Sequence, residues 1–219
     1  MRPLRSLCVI LLSASVAPSL ALAGSPPVQS SLPPCCTSTL PSCVSLVGAN
    51  GIVPAAGAGE FEAVIRDLAS NPVPGASVVI DFSNCLDLAI CADQLDPDVT
   101  VNCLAKTVRK FTDAAGAVHF TILGGSNGAG QASTLLSGGR IFANGMLLAA
   151  PTVSAFDLDG ANGVGAGDLS AWLTDFGSGQ PYGRSDYDCS GNIGAGDLSL
   201  WLSMFASGTM TASCGTSCP

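Results

Sequence analysis

The C-terminal part of the chain contains one sequence twice, as DLDGANGVGAGDLSAWLTDFGSG over residues 157–179 and as DYDCSGNIGAGDLSLWLSMFASG over residues 186–208. The copies align without gaps, which indicates a duplicated structural unit. Each copy begins with an acidic, glycine-rich segment and continues with apolar residues spaced i, i+3, i+4 and i+7, the pattern of one apolar helix stripe. The stripes are Leu169, Trp172, Leu173 and Phe176, and Leu198, Trp201, Leu202 and Phe205. The repeat therefore predicts two units, each an acidic loop followed by an amphipathic helix.

The spacing of oxygen-bearing residues in each loop indicates a site for a hard cation such as calcium. Calcium takes roughly six to eight oxygen ligands at about 2.3–2.6 Å, and a twelve-residue loop supplies them from alternate positions as it wraps the ion. Counted from Asp157 and from Asp186 as position 1, both loops have Asp at positions 1, 3 and 12. The candidate ligands are Asp157, Asp159, the Gly163 carbonyl and Asp168 in the first loop, and Asp186, Asp188, Ser190, the Asn192 carbonyl and Asp197 in the second.

The first loop departs from this pattern at two positions. Ala161 at position 5 offers no side-chain oxygen, and Asn162 replaces the turn glycine at position 6. We therefore expect the first site to bind calcium more weakly, or to recruit Asn162 through a shifted loop. In the alternative interpretation neither loop binds a metal, and Asp168 and Asp197 only cap the N-termini of the helices.

The region from residue 155 to residue 208 resembles a type I dockerin. That family consists of duplicated loop-helix calcium units that lack the entering helix of an EF-hand and carry Asp at position 12. The resemblance implies calcium as the cofactor, ligands at the Asp positions and at Ser190, and a cohesin-like or surface scaffold protein as the partner. Dockerins usually contact cohesin partly through polar side chains at loop positions 10 and 11. Here those positions are Ala166-Gly167 and Ala195-Gly196, so the chain departs from the family there.

The N-terminus has the features of a secretory signal peptide. A basic start with Arg2 and Arg5 precedes an apolar run over residues 7–22, and small residues at Ala21 and Ala23 form a cleavage site. A membrane anchor is the alternative interpretation, although the segment is short. We therefore predict a signal peptide at 1–23, a Ser-, Pro- and Cys-rich leader at 24–43, no transmembrane segment after cleavage, and a secreted or cell-surface location.

The charge of the chain is acidic and local. The whole sequence has 8 basic and 16 acidic residues, and removal of Arg2 and Arg5 leaves a net charge near −10. Seven of the acids lie between Asp157 and Asp197. This distribution suits a bound cation and argues against nucleic acid as a partner.

The cysteine content agrees with export. Of 10 cysteines, nine follow the predicted cleavage site, and in an exported chain their default role is disulfide formation. We expect two of Cys85, Cys91 and Cys103 to pair with each other, Cys189 to pair with Cys214 or Cys218, and one thiol to be free or intermolecular. The disulfide candidates are Cys35, Cys36, Cys43, Cys85, Cys91, Cys103, Cys189, Cys214 and Cys218.

Residues 44–154 show the period-two pattern of β-strands. Short apolar runs are separated by turn residues at 71–75, at 113–116 and at Asn144-Gly145, and the last two turns each predict a hairpin. This pattern is typical of an antiparallel β-sandwich. Residues 64–82 and 112–117 resemble the bacterial immunoglobulin-like domains of invasin-type surface proteins. The resemblance implies an immunoglobulin-like sandwich over residues 44–154.

Two features that suggest catalysis have simpler explanations. The glycine-rich segment 124–130 lacks the Lys-Ser or Lys-Thr of a phosphate-binding loop, so it predicts a flexible inter-strand loop. The single histidine, His119, lies in a strand-like run and is expected to face outward. We therefore expect no enzymatic activity.

These observations predict a mainly β chain, with an immunoglobulin-like antiparallel β-sandwich followed by a small α-helical dockerin-like pair at 155–208 and a Cys-containing tail at 209–219. The expected function is attachment of the displayed sandwich to a surface or scaffold partner through the calcium-binding pair. Two alternatives are a structural surface or matrix protein with purely stabilising calcium repeats, and an accessory protein of polysaccharide degradation that binds carbohydrate.

Overall fold

The computed structural model describes residues 33–49, 58–127, 138–161, 163–207, 214 and 216–218. They belong to one unit that extends from Ser31 to Pro219. The predicted signal peptide and residues 24–32 of the leader lie outside the described residues. The chain is mainly β. Its strands are β1 (Cys43–Leu46), β2 (Glu60–Val64), β3 (Ser77–Asp81), β4 (Leu88–Cys91), β5 (Thr100–Asn102), β6 (Thr107–Phe111), β7 (Ala117–Thr121), β8 (Gly124–Ser126), β9 (Arg140–Ala143), β10 (Met146–Ala149), β11 (Thr152–Ala155) and β12 (Ser217–Cys218).

The largest sheet has five strands in the order β10-β9-β3-β6-β5, and all its neighbours are antiparallel. Along the central strand β3, Val78 and Ile80 are buried, while Ser77, Val79 and Asp81 are half-buried. This alternation places one face of the strand on the core. The strand predicted after the 71–75 turn is therefore confirmed.

The hairpin predicted at Asn144-Gly145 is confirmed. Strands β9 and β10 pair antiparallel with Met146 opposite Ala143. Asn144 has φ 49° and Gly145 has φ 83°. Positive φ at both central residues is the geometry of the type I′ turn, whose twist matches that of the strands it joins.

The hairpin predicted around residues 113–116 is wrong in its pairing. The turn forms, because the Asp113 carboxylate accepts backbone N–H groups of Ala115 and Ala117 at 2.8 and 2.9 Å. However, β6 pairs with β3 and β5, whereas β7 pairs with β2 in a separate sheet. On that sheet Phe120 lies opposite Phe61 and stacks on it at 5.4 Å, a cross-strand contact that favours this partner. The turn thus carries the chain from one sheet to another.

One strand pair is parallel, which corrects the expectation of a purely antiparallel arrangement. Strand β1 pairs in parallel with β11, and Val44 lies opposite Val153. The pair is reinforced by a buried hydrogen bond of 2.7 Å between Ser45 Oγ and Ser154 Oγ. Because β11 ends directly before the first repeat, this pair anchors the start of the repeat region to the sheets.

The glycine-rich segment also differs from the expectation of a flexible loop. Its first three residues form β8, which is buried and pairs antiparallel with β4. A Cβ on Gly124 would lie 2.5 Å from the Ala89 carbonyl oxygen, so only glycine permits this close approach. Residues 128–130 of the segment lie outside the described residues.

The two predicted helices are confirmed as α1 (Ala166–Ser178) and α2 (Ala195–Ala206). Trp172 and Trp201 are buried, whereas Leu173, Phe176 and Leu202 are exposed by 52, 52 and 48%. Only part of each apolar stripe therefore faces the core. The buried part joins a cluster formed by Val47, Cys91, Leu123, Phe156, Leu158, Val164, Trp172, Tyr187, Trp201 and Met204.

This cluster crosses the predicted boundary at residue 155. Val47 and Leu123 come from the strand region, while both tryptophans come from the repeats. The helices are therefore covered by residues of the strand region as well as by the other repeat. Within the described residues, neither helix has the length and apolar character that crossing a bilayer requires.

Each of the three disulfides joins the strand region to the second repeat or to the C-terminal tail rather than to a neighbouring cysteine. The bonds are Cys43–Cys189, Cys91–Cys214 and Cys103–Cys218. The expected pairing within Cys85, Cys91 and Cys103 is wrong, as is that of Cys189 with the tail. The reason is topological, because β12 pairs with β4 and brings the tail to Cys91, while β1 lies beside the second loop.

Candidate metal centre

Each repeat brings its three predicted aspartates together. The carboxylates of Asp157, Asp159 and Asp168 each offer an oxygen within 4.8 Å of the others, and Asp186, Asp188 and Asp197 form the same arrangement. In both clusters the residues at positions 1 and 12 are buried and the residue at position 3 is exposed. Each cluster thus has two buried carboxylates and one that faces solvent, so an ion can reach the site from the exposed side. The geometry fits an oxygen-rich cation site.

The aspartates at position 12 also organise the backbone of the loops. In the first loop one oxygen of Asp168 accepts the backbone N–H groups of Leu158 and Asp159 at 2.5 and 2.9 Å. Its other oxygen accepts the N–H of Gly165 at 2.6 Å, immediately before α1. These contacts include the helix-capping role of the alternative interpretation and extend it, because the same side chain also closes the start of the loop.

The second loop repeats these contacts at equivalent positions. Asp197 accepts the N–H groups of Tyr187 and Asp188 at 2.6 and 3.0 Å with one oxygen, and that of Gly194 at 2.8 Å with the other. The two loops therefore share a backbone path at both ends, as their aligned sequences predict.

The glycine at position 11 lies against the aspartate at position 3, a contact that the sequence pattern did not predict. A Cβ on Gly167 would lie 1.9 Å from Asp159 Oδ2, and a Cβ on Gly196 would lie 2.1 Å from Asp188 Oδ2. No side chain fits at these distances unless the carboxylate moves. Glycine in both copies therefore makes room for the position-3 aspartate, which explains why position 11 has no polar side chain.

The electrostatics of both clusters favour a cation. Burial raises the pKa of Asp157 to about 7, and the nearby Asp168 carboxylate adds to the effect. Burial likewise raises the pKa of Asp168 and of Asp186. Carboxylates crowded in a low-dielectric site resist ionisation, and a divalent cation would remove that cost by neutralising them.

The remaining predicted ligands differ between the loops. Ser190 Oγ donates to the Asn192 carbonyl oxygen at 3.0 Å, so the oxygens of positions 5 and 7 are adjacent in the second loop. Gly191 at position 6 has φ 81°, which confirms the expected turn, whereas in the first loop Gly163 at position 7 has φ 71°. Asn162 lies outside the described residues, so its recruitment stays a prediction.

Strand β8 covers the first loop, a contact that the sequence pattern did not predict. The Ser126 N–H donates to the Asp157 carbonyl at 2.6 Å. A Cβ on Gly125 would lie 3.0 Å from the Asp157 side chain. The glycine pair was the available signal, because glycine inside a strand often marks close approach of another backbone.

The segment between the repeats is held by a buried ion pair. Arg184 donates to both oxygens of Asp175 at 2.7 Å each, and Ser185 Oγ donates to the same carboxylate at 2.7 Å. Trp172 Nε1 donates to the Ser185 carbonyl at 3.3 Å. These contacts connect α1 to the start of the second loop.

The second loop is also bonded covalently to the sheets. Cys189 at position 4 has φ 61° and pairs with Cys43 at the start of β1. Because Cys189 lies between the candidate ligands Asp188 and Ser190, the bond restrains this part of the loop.

His119 lies on β7 with an exposed side chain, as expected. Its Nε2 is 3.5 Å from Glu62 Oε1 on the paired strand β2.

Comparisons of the chain with protein-family models, with curated proteins and with solved structures found no match.

Proposed function

We propose that this chain is an exported, non-catalytic protein in which two loop-helix units bind calcium and attach an immunoglobulin-like β-sandwich to a surface or scaffold partner. The proposal extends the dockerin resemblance to the function of the chain. The aspartates at positions 1, 3 and 12 would hold the ion in each loop. A divalent cation bound there would neutralise their charge, so the free energy of metal binding would contribute to folding of the repeat region.

The proposed calcium binding rests on one observation, the convergence of three aspartates in each loop. Three carboxylates at positions 1, 3 and 12 meet within 4.8 Å in each copy. Helix capping accounts for position 12 alone, and it does not require an aspartate at position 3 or a glycine beside it. The raised pKa of Asp157 and of Asp186 further supports a cation as the missing counter-charge.

The exposed part of the helix stripes supports attachment to a partner. Leu173, Phe176 and Leu202 are each about half exposed. Apolar side chains presented on helices in this way are typical of a protein-docking face. Leu173 and Leu202 occupy equivalent positions of the two copies, whereas Phe205, the counterpart of Phe176, packs partly against the core.

Calcium titration of the full chain with disulfides intact tests the metal assignment. Isothermal titration calorimetry should detect two sites. Asp159→Ala should weaken the first and Asp188→Ala the second by at least about tenfold, since each removes a charged ligand. Both residues are exposed and leave the capping contacts of position 12 in place. Asp93→Ala removes an equally exposed carboxylate and serves as the control. Absence of calcium-dependent heat in the unaltered chain would exclude the assignment.

A purely stabilising role for the calcium repeats is the second candidate. Three observations favour it. The cluster around Trp172 and Trp201 includes strand residues, and Cys43–Cys189 bonds the second loop to β1. Small residues at loop positions 10 and 11 also leave no polar side chains for recognition.

Affinity capture with the full chain separates the two candidates. The docking function predicts an exported partner that is retained in calcium and released by chelator. Leu173→Ser with Phe176→Ser should abolish retention without altering calcium binding. Capture of no exported partner would leave the stabilising role.

A further inference from the structure

Adjacent cysteines at the start of the described chain form a thiol pair that neither the metal sites nor the three disulfides use. Cys35 Sγ and Cys36 Sγ are 2.8 Å apart. Cys35 is buried, with 7% of its surface exposed, whereas Cys36 is exposed. A small rotation of the side chains would bring the sulfur atoms to the bond length of about 2.05 Å found in disulfides.

The backbone around this pair is fixed to the sheet region. The Cys35 N–H donates to the Arg66 carbonyl at 2.8 Å, and Thr37 Oγ1 donates to the Asp67 carbonyl at 3.0 Å. Thr39 then forms an antiparallel bridge with Val64. The two sulfur atoms are therefore presented from a segment held on both sides, with one sulfur facing solvent.

We propose that Cys35 and Cys36 form a vicinal disulfide that exchanges reversibly with thiols and disulfides in solution. In the oxidising direction, the exposed Cys36 thiolate attacks a donor disulfide and releases one donor thiol. The Cys35 thiolate then attacks Cys36 Sγ of the mixed disulfide and releases the second donor thiol. The pair loses two electrons and two protons, and the donor disulfide is reduced to two thiols.

The exposure of Cys36 favours the reverse reaction, in which an external thiol reduces the vicinal disulfide. An incoming thiolate reaches the exposed Cys36 sulfur, and Cys35 departs as the thiolate. Access to the sulfur that is attacked is one of the factors that set the rate of exchange, and the exposed Cys36 provides it.

The adjacency of the two cysteines in the chain also favours reduction of their disulfide. Adjacent Cα atoms are about 3.8 Å apart, closer than the roughly 4.4–6.8 Å of ordinary disulfides, and such deviation makes the bond more reducible. By contrast, Cys91 and Cys218 are 2% and 0% exposed in their bonds. The vicinal disulfide should therefore be reduced before Cys91–Cys214 and Cys103–Cys218, while the fold stays intact.

Differential alkylation of the full chain, isolated without reductant, tests this assignment. Mass spectrometry should find Cys35 and Cys36 both unlabelled before reduction. In a titration with reduced and oxidised glutathione, both should become labelled at a ratio at least about tenfold more oxidising than that needed for Cys91–Cys214. The far-ultraviolet circular dichroism should not change at that point.

The variant Cys36→Ser provides a second measurement. It should lose the easily reduced step and keep the reduction of the three other disulfides. The assignment is overturned if both thiols are labelled without reductant, if Cys36 is found bonded to another cysteine, or if all disulfides are reduced together.

Discussion

Replacement of Gly196 by alanine separates calcium binding from helix formation with a single methyl group. The added Cβ would lie 2.1 Å from Asp188 Oδ2, and ordinary contact begins at about 3.4 Å, so the oxygen must move by about 1.3 Å. Calcium–oxygen distances vary by only about 0.3 Å. An ion held by this oxygen would therefore lose it as a ligand.

The change should have opposite effects on the metal-free and calcium-bound chain. Loss of one carboxylate ligand should weaken the second site by at least about tenfold, or about 1.4 kcal/mol. Alanine favours a helix over glycine by up to about 1 kcal/mol, and the exposed Asp188 side chain is free to turn away when no ion is bound. In chelator, Gly196→Ala should therefore be as stable as the unaltered chain or more stable.

Calorimetric titration with calcium, combined with thermal denaturation in calcium and in chelator, measures both effects. Gly177→Ala is the matched control, because Gly177 lies in α1 and an added Cβ there contacts nothing within 4 Å. It should stabilise the helix without loss of calcium affinity. Wild-type affinity in Gly196→Ala would refute the placement of Asp188 among the ligands.

Two further predictions concern pH and the buried ion pair. Because burial raises the pKa of Asp157 to about 7, ionising it disfavours the metal-free fold. The melting temperature in chelator should fall from about pH 5 to pH 7 while calcium affinity of the first loop rises; a melting temperature that rises in chelator would contradict this. Arg184→Ala leaves the buried Asp175 carboxylate with only its Ser185 donor, and urea denaturation should show a loss of about 3–5 kcal/mol. The exposed Arg109→Ala should change stability by less than about 0.5 kcal/mol, and equal losses in the two variants would exclude a role for the pair.

Features that depend on residues close together in the sequence were predictable. The helices follow from apolar residues three and four apart, and the Asn144-Gly145 turn follows from two residues that tolerate positive φ. The convergence of Asp157, Asp159 and Asp168 belongs to the same class, because one twelve-residue loop contains all three. For these features the physical information lies within one or two turns of chain.

Features that depend on distant partners were decided only by the tertiary structure. The turn at 113–116 forms as its residues predict, yet the partner of β7 is β2, because Phe61 and Phe120 meet across the chain. Cys189 pairs with Cys43, a residue 146 positions away, because β1 lies beside the second loop. Pattern and spacing contain no information on which of several compatible strands or cysteines become neighbours.

The candidate metal centre depends both on local sequence and on tertiary structure. Loop spacing alone predicted which aspartates converge, since one twelve-residue loop contains all three. Burial of Asp157 against Gly125, and with it the raised pKa, depends on β8 lying over the loop. The role of Gly196 likewise required the position of Asp188 in space. The sequence by itself determined which aspartates come together, and the tertiary structure determined their desolvation, because burial depends on which distant segments exclude water from the site.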